Sequence, residues 1–202
     1  VSRQTPRLIL ASTSPRRIAL LRERGIAFET ANPQVEELAD PLGDPPALVA
    51  ANARLKAEAV PFTAGEGASS PSSALVLGAD TVVVFQSRIL GKPASWDEAR
   101  AMLGLLNGQT HEVLTGVHLR LHPGGAAIAF VESTRVHFHS RSEAERESYL
   151  QKINPLDKAG AYAAQEDEGW LIASLSGSKT NVIGLPMERL LAELTRFGIR
   201  PA

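Results

Sequence analysis

Apolar positions along the chain follow two rhythms. Nearly unbroken runs, LILA at residues 8–11 and LVLGADTVVVF at residues 75–85, have the character of strands buried on both faces. From Glu112 the pattern changes to strict alternation through Val113, Thr115, Val117, Leu119 and Leu121, and HPGG at residues 122–125 turns it into a second strand ending near His139. These two strands are expected to pair antiparallel. QSR at residues 86–88 is expected to form a hairpin turn into ILGKP, and WLIASL reads as a further strand.

Helical signals fall between these runs. Ser14-Pro15 offers an N-cap and a first-turn proline for a helix reaching about Arg24, with Gly25 as its stop. A second helix is expected from Asp44-Pro45 to Pro61; its apolar positions are mostly alanine, which suits a helix lying close on a sheet. Ser95 with Glu98 and Ser142 with Glu145 have capping-box spacing, predicting helices that end near Asn107-Gly108 and Ile153. Pro186 opens a terminal helix, and residues 63–74, TAGEGASSPSSA, read as a flexible surface loop. The order gives an α/β class with a mixed, twisted sheet and no internal repeat.

At 202 residues the chain is long enough for a substantial core, as one domain or two closely packed lobes. The 21 basic residues against 22 acidic ones leave a charge of -1, without the excess that would bind long nucleic acid, so any anion site is local. The absence of cysteine excludes disulfides, thiolate nucleophiles and Cys-ligated zinc. No apolar segment is long enough to span a bilayer, and a cytoplasmic protein with no membrane partner is expected.

LASTSPRRIALL, residues 10–21, runs from a strand into a helix yet places Arg16 and Arg17 in the first helical turn, where acidic residues are usual. A strand, a polar loop and a helix N-terminus form an anion cradle, and Ser12, Thr13 and Ser14 add hydroxyl donors. Guanidinium groups there make sense opposite phosphate; the alternative is a pair of solvated surface arginines. Lys56 in the second helix and Lys92 in LGKP carry more positive charge, each with an ordinary surface reading as its alternative. Asp80 interrupts an apolar strand, where an unpartnered carboxylate would be costly. It is a candidate metal ligand or general base, or else a carboxylate satisfied by backbone N–H groups at a strand kink. Glu36 and Glu37 read alone as a solvated pair.

Together, LILASTSPRRIALL, VEE, LGADTVVV, LGKPASWDEARAMLGLLNGQTHEVLTGV, DKAGAYAAQ and NVIGLP resemble the Maf family of nucleoside triphosphate pyrophosphatases, in family order and over most of the chain. The resemblance implies two α/β lobes around a long mixed twisted sheet with a central cleft, as a single Maf-like domain over residues 1–202. It implies hydrolysis of a nucleoside triphosphate to the monophosphate and pyrophosphate with a divalent cation, Mg²⁺ or Mn²⁺, as cofactor. By motif position Asp80 matches the proton acceptor. Ser12, Arg17, Glu37, Lys56 and Lys92 match the substrate cleft, and Arg16, Thr81 and Gln165 match positions linked to substrate choice. Asp80 and Glu37 are the implied metal ligands. The S-P-R-R, D-T and K-A-G-A-Y-x-x-Q combination resembles the branch acting on dTTP and UTP; a homodimer is common in the family.

The chain departs from many relatives at Glu166-Asp167-Glu168, which adds negative charge after Gln165 and would either reshape base selection or point outward. Other readings are a pyrophosphatase for another base, such as 7-methyl-GTP, or a non-catalytic nucleotide-binding regulator of cell division. His137 and His139 share one strand face without a third ligand nearby, and His111 is expected to make a structural hydrogen bond. No G-x-S-x-G elbow or Walker A pattern is present.

Overall fold

In the computed structural model, which describes residues 5–39, 43–61 and 73–202, the first apolar run forms strand β1, Arg7–Ala11. Pro15 occupies the first turn of helix α1, Pro15–Glu23, and Gly25 follows it at a φ of 64°. Ser14 stands at the N-cap with extended backbone but makes no side-chain cap; its N–H donates to Ser12 Oγ instead, at 3.1 Å. Strand β2, Glu29–Ala31, is too short to carry a periodicity and escaped the sequence pattern. Helix α2, Pro45–Glu58, is capped by the Asp44 carboxylate accepting from Ala47 N–H, and stops short of the expected Pro61. Residues 62–72, most of the expected loop, lie outside the described residues.

Strand β3, Ala74–Phe85, turns at Gln86 and Ser87, both at positive φ, into strand β4, Arg88–Leu90. Helix α3, Trp96–Leu106, then leads into the antiparallel pair β5, Thr110–His122, and β6, Ala127–Phe138. Helix α4, Glu143–Lys152, has the reciprocal capping box expected of Ser142 and Glu145. At α3 only half of it forms, because the Glu98 carboxylate accepts from Ala94 N–H while Ser95 Oγ accepts from Glu98 N–H. Two 3-10 turns, Pro155–Asp157 and Ala159–Ala161, precede strand β7, Ile172–Ser176, the short helix α5, Lys179–Ile183, and helix α6, Met187–Arg196.

One seven-stranded mixed sheet orders the strands β2-β1-β3-β5-β6-β7, with β4 on β3. Strand β5 pairs β3 along its length, from Ala74 to Val84, so β1 and β4 must share the other edge. β1 lies parallel to it up to Leu77, and β4 joins antiparallel from Val83. Between these two residues no strand among the described residues pairs that edge. The gap is a notch into which the loops after β1 and β4 both open, the kind of switch point where open sheets gather ligands. On one side Leu10, Leu21, Leu77, Leu119 and Leu190 belong to one apolar cluster; on the other, Leu103, Leu106, Phe138 and Leu171 belong to a second. These are the two lobes, with β3 and β5 running through both.

Helix α2 lies directly on β3 and β5. A Cβ at Gly78 would stand 2.1 Å from the Ala53 carbonyl oxygen, and one at Gly116 2.3 Å from that of Val49. Only glycine lets the helix backbone touch the sheet here, and the small residues Ala53 and Ala57 are fully buried in the contact. The alanine-rich pattern of α2 is thus explained by a close approach, which brings the helix face carrying Asn52 and Lys56 down to Asp80.

Candidate active site

Asp80 lies on β3 opposite Gly116 of β5, where the other edge of the strand is left open between β1 and β4, and is only 6% exposed. Its carboxylate is satisfied by side chains, not by backbone at a kink: Lys56 Nζ donates to Oδ1 at 2.7 Å and Asn52 Nδ2 to Oδ2 at 3.2 Å. Asn52 and Lys56 are four residues apart in α2 and therefore share a face. Lys56 is 8% exposed, which rules out the surface-lysine reading, and its Nζ also meets Glu37 Oε1 at 2.7 Å. Glu37 is held there by a second function of Asn52, which accepts from Leu38 N–H at 2.8 Å and donates to Leu38 O at 3.3 Å. The exposed pair read from sequence separates accordingly: Glu37 joins the site, and Glu36 stays at the surface.

The opposite face of β3 presents Thr81 to α1. Arg17 reaches across with its whole fork, donating from Nε to Gly184 O at 3.0 Å, from Nη1 to Ser12 Oγ at 3.4 Å and from Nη2 to Thr81 Oγ1 at 3.1 Å. Every one of these acceptors is neutral, and among the described residues Arg17 forms no salt bridge. Burial accordingly pushes its pKa below the ordinary arginine value, opposed by the charge of Asp80. A guanidinium always stays protonated, so this is a cation held without a neutralising partner. Arg16 is placed differently. It ties α1 to the other lobe through Asp157, reaching its carboxylate at 3.3 Å and its carbonyl oxygen at 2.9 Å.

These groups line a cleft of about 840 Å³ that includes Ser12, Arg16, Arg17, Glu37, Lys56, Asp80, Thr81, Lys92 and Gln165. The structure therefore brings together every site residue expected from the sequence. Lys92 and Gln165 sit exposed on the wall, with Gln165 Nε2 3.5 Å from Glu166 Oε1. The acidic run after Gln165 does not line the cleft as a block. Asp167 turns inward, accepting from the N–H groups of Gly169, Leu171 and Ile172, and so serves the start of β7.

Several residues of the cleft were not singled out in the sequence. Asn52 was recognisable in principle as the residue one turn before Lys56. Lys158, buried and donating to Asn154 O and the Asp157 carboxylate, lies inside a quoted segment but gives no separate pattern. His111 is structural as expected: it is 2% exposed, with Nε2 3.0 Å from the Tyr162 hydroxyl.

The family profile described as Maf-like protein matches residues 7–197. The chain belongs to the Maf family. A protein named dTTP/UTP pyrophosphatase from Symbiobacterium thermophilum is 46% identical over 191 residues, covering 95% of this chain and 94% of the relative. Another of the same name from Bacillus cereus (strain B4264) is 42% identical over 193 residues, 96% of each chain. The Maf-like region thus takes in both lobes and the whole cleft.

The acidic side of this Maf cleft also fits a hard divalent cation. Asp80 and Glu37 both touch Lys56 Nζ at 2.7 Å, so their carboxylates share one small volume. Among the described residues no third acidic or histidine side chain joins them in a ligating group. Two carboxylates with the remaining positions left to phosphate and water is the pattern Mg²⁺ accepts.

Proposed function

We propose that this chain is a nucleoside triphosphate pyrophosphatase that hydrolyses dTTP and UTP to the monophosphate and pyrophosphate. The observation that carries the reading is Arg17, a cation fixed in the cleft by neutral oxygens alone and still able to neutralise a phosphate. The names of the relatives support the choice of dTTP and UTP.

In the proposed reaction a water oxygen attacks the α-phosphorus, the bond to the bridging oxygen breaks, and pyrophosphate leaves. Asp80 orients that water and takes its proton. Each carboxylate oxygen spends one acceptor site on Asn52 or Lys56 and keeps another for the water. Ser12 and Arg17 bind phosphate oxygens beside the N-terminus of α1, while Lys56 and Lys92 offset charge on the departing pyrophosphate. Arg16, Thr81 and Gln165 act in substrate choice, Arg16 by fixing the distance between the lobes at its Asp157 contact. Asp80 and Glu37 would hold a Mg²⁺ or Mn²⁺ ion, which when bound draws charge from the phosphate oxygens.

Pyrophosphate release from dTTP, UTP, CTP, GTP, 7-methyl-GTP and ITP, with Mg²⁺, Mn²⁺ or EDTA, tests the proposal. Metal-dependent release from dTTP and UTP is expected. Turnover of a different base would move the specificity, and nucleotide binding without turnover would favour a regulator over an enzyme.

A further inference from the structure

Beyond these residues, a fully buried hydroxyl behind the cleft governs what Thr81 can bind. Thr115 lies on β5 directly across from Thr81, is 0% exposed, and does not itself line the cleft. Its Oγ1 is 3.0 Å from Thr81 Oγ1 and donates to the Asn181 carbonyl oxygen at 3.2 Å. Proton positions follow from this network. Arginine only donates and a carbonyl only accepts. If Thr115 gave its single proton to Thr81, its lone pairs would face those of Asn181 O across 3.2 Å. One assignment turns every contact into a hydrogen bond: Arg17 donates to Thr81, Thr81 to Thr115, and Thr115 to Asn181 O. The proton of Thr81 is then committed inward, one lone pair is taken by Arg17, and the cleft sees an oxygen that can only accept.

Ser12 has the opposite polarity. Its Oγ accepts from Arg17 and from Ser14 N–H, so its proton is free to point at a ligand. The same guanidinium therefore leaves a donor at Ser12, which suits phosphate, and an acceptor at Thr81, which repels it. An acceptor at Thr81 is matched by an N–H or O–H of the nucleoside. The ribose hydroxyls are common to nucleotides of every base, whereas N3–H is shared by thymine and uracil and is replaced in cytosine by a lone pair.

We propose that Thr115 is a positioning residue for base choice: by holding the Thr81 proton inward it makes Thr81 an acceptor for the N3–H of thymine or uracil and a poor neighbour for cytosine. This rests on the proposed dTTP and UTP activity. A polar site whose half-buried oxygen would be left facing another lone pair rejects the wrong base more strongly than an apolar wall does.

The test measures kcat/KM for UTP, CTP and N3-methyl-UTP with the native protein, Thr115→Val and Thr115→Ser. The native protein should prefer UTP to CTP and lose at least about tenfold on N3-methyl-UTP. Thr115→Val frees the Thr81 proton and should cut the UTP to CTP ratio about tenfold, while Thr115→Ser keeps it. A purely structural role would change both substrates together and leave the ratio intact. An unchanged ratio in Thr115→Val overturns the proposal. So does native turnover of N3-methyl-UTP at the UTP rate, a result that needs no variant to fold. A native protein inactive on both dTTP and UTP instead overturns the parent reading.

Discussion

Lys56 and Asp80 meet at 2.7 Å on the floor of the cleft, at 8% and 6% exposure. A buried ion pair of this kind is weak evidence for stability, because desolvation offsets the attraction, yet removing one partner strands the other. Asp80→Asn leaves Lys56 with Glu37 as counter-ion and keeps a group of the same shape. The fold should survive, and kcat should fall at least about 10²-fold, the lower range for loss of a general base. Pyrophosphate release together with thermal unfolding of the variant checks both halves.

Lys56→Met is the mirror case and should behave differently. Asp80 then keeps only Asn52, and destabilisation near the lower end of about 3–5 kcal/mol is expected because the cleft admits water. Adding Asp80→Asn to Lys56→Met should recover part of that loss, since the one carboxylate then left without Lys56, Glu37, is half exposed and solvated. Urea unfolding of the two single variants and the double variant reads the coupling directly.

The close approach of α2 to the sheet gives a second structural test. Gly78→Ala would drive a methyl group into the Ala53 carbonyl oxygen, which is backbone and cannot rotate away. The helix must lift, at the upper end of the about 1–3 kcal/mol typical of overpacking. Because α2 carries Asn52 and Lys56, activity should fall with it. Gly104→Ala, exposed inside α3 with nothing within 4 Å, is the control: it should leave turnover unchanged and stabilise by up to about 1 kcal/mol through helix propensity.

Much of this arrangement was legible in the chain. The long apolar runs, the alternation from Val113 and the Ser142–Glu145 spacing each report a local rule, and local rules survive folding. Asp80 was visible as a carboxylate that an apolar strand could not hold without partners. The identity of those partners was not, because the Lys56 pairing depends on two glycines, Gly78 and Gly116, that matter only once helix and sheet are stacked. Arg16 and Arg17 stood together as a puzzle in one turn. Their division of labour, one bracing the lobes and one left without a counter-charge, depends on Asp157 and Gly184, far away in sequence. Strand β2 and helix α5 are too short for any periodicity to show.

Stability should also depend on acidity through His111. Burial, helped by His137, pushes its imidazole down from 6.5 to about 4. Between those values the unfolded chain binds the proton and the folded one does not, so stability is full above pH 6.5 and falls as pH drops toward 4. A displacement of this size amounts to at most about 3 kcal/mol. His118 and His122 are lowered by burial as well and add to the slope in the same direction. Urea midpoints at pH 7.5 and 5 for the native protein and His111→Asn isolate the share of His111: the variant should show the shallower dependence.

Arg16 and Arg17 are adjacent, but their substitution by lysine should not be equivalent. Arg17 uses Nε and both terminal nitrogens in three directions, a fork that an ammonium on a single stem cannot reproduce. Lysine there loses hydrogen bonds from a charged donor, each worth about 1.5–3 kcal/mol, which corresponds to a fall in kcat/KM on the order of 10–100-fold per bond that the transition state uses. Since the fork also orients Ser12 and Thr81, the fall should appear in kcat as well as KM. Arg16 makes its contacts to Asp157, at the junction of the lobes, and lysine can retain the charge pairing although not the bond to the carbonyl. Its effect should lie mainly in KM, through a cleft held less firmly to width. Steady-state kinetics of Arg16→Lys and Arg17→Lys on dTTP distinguish the two roles, and equal losses in kcat would mean that both guanidinium groups face the reacting phosphate.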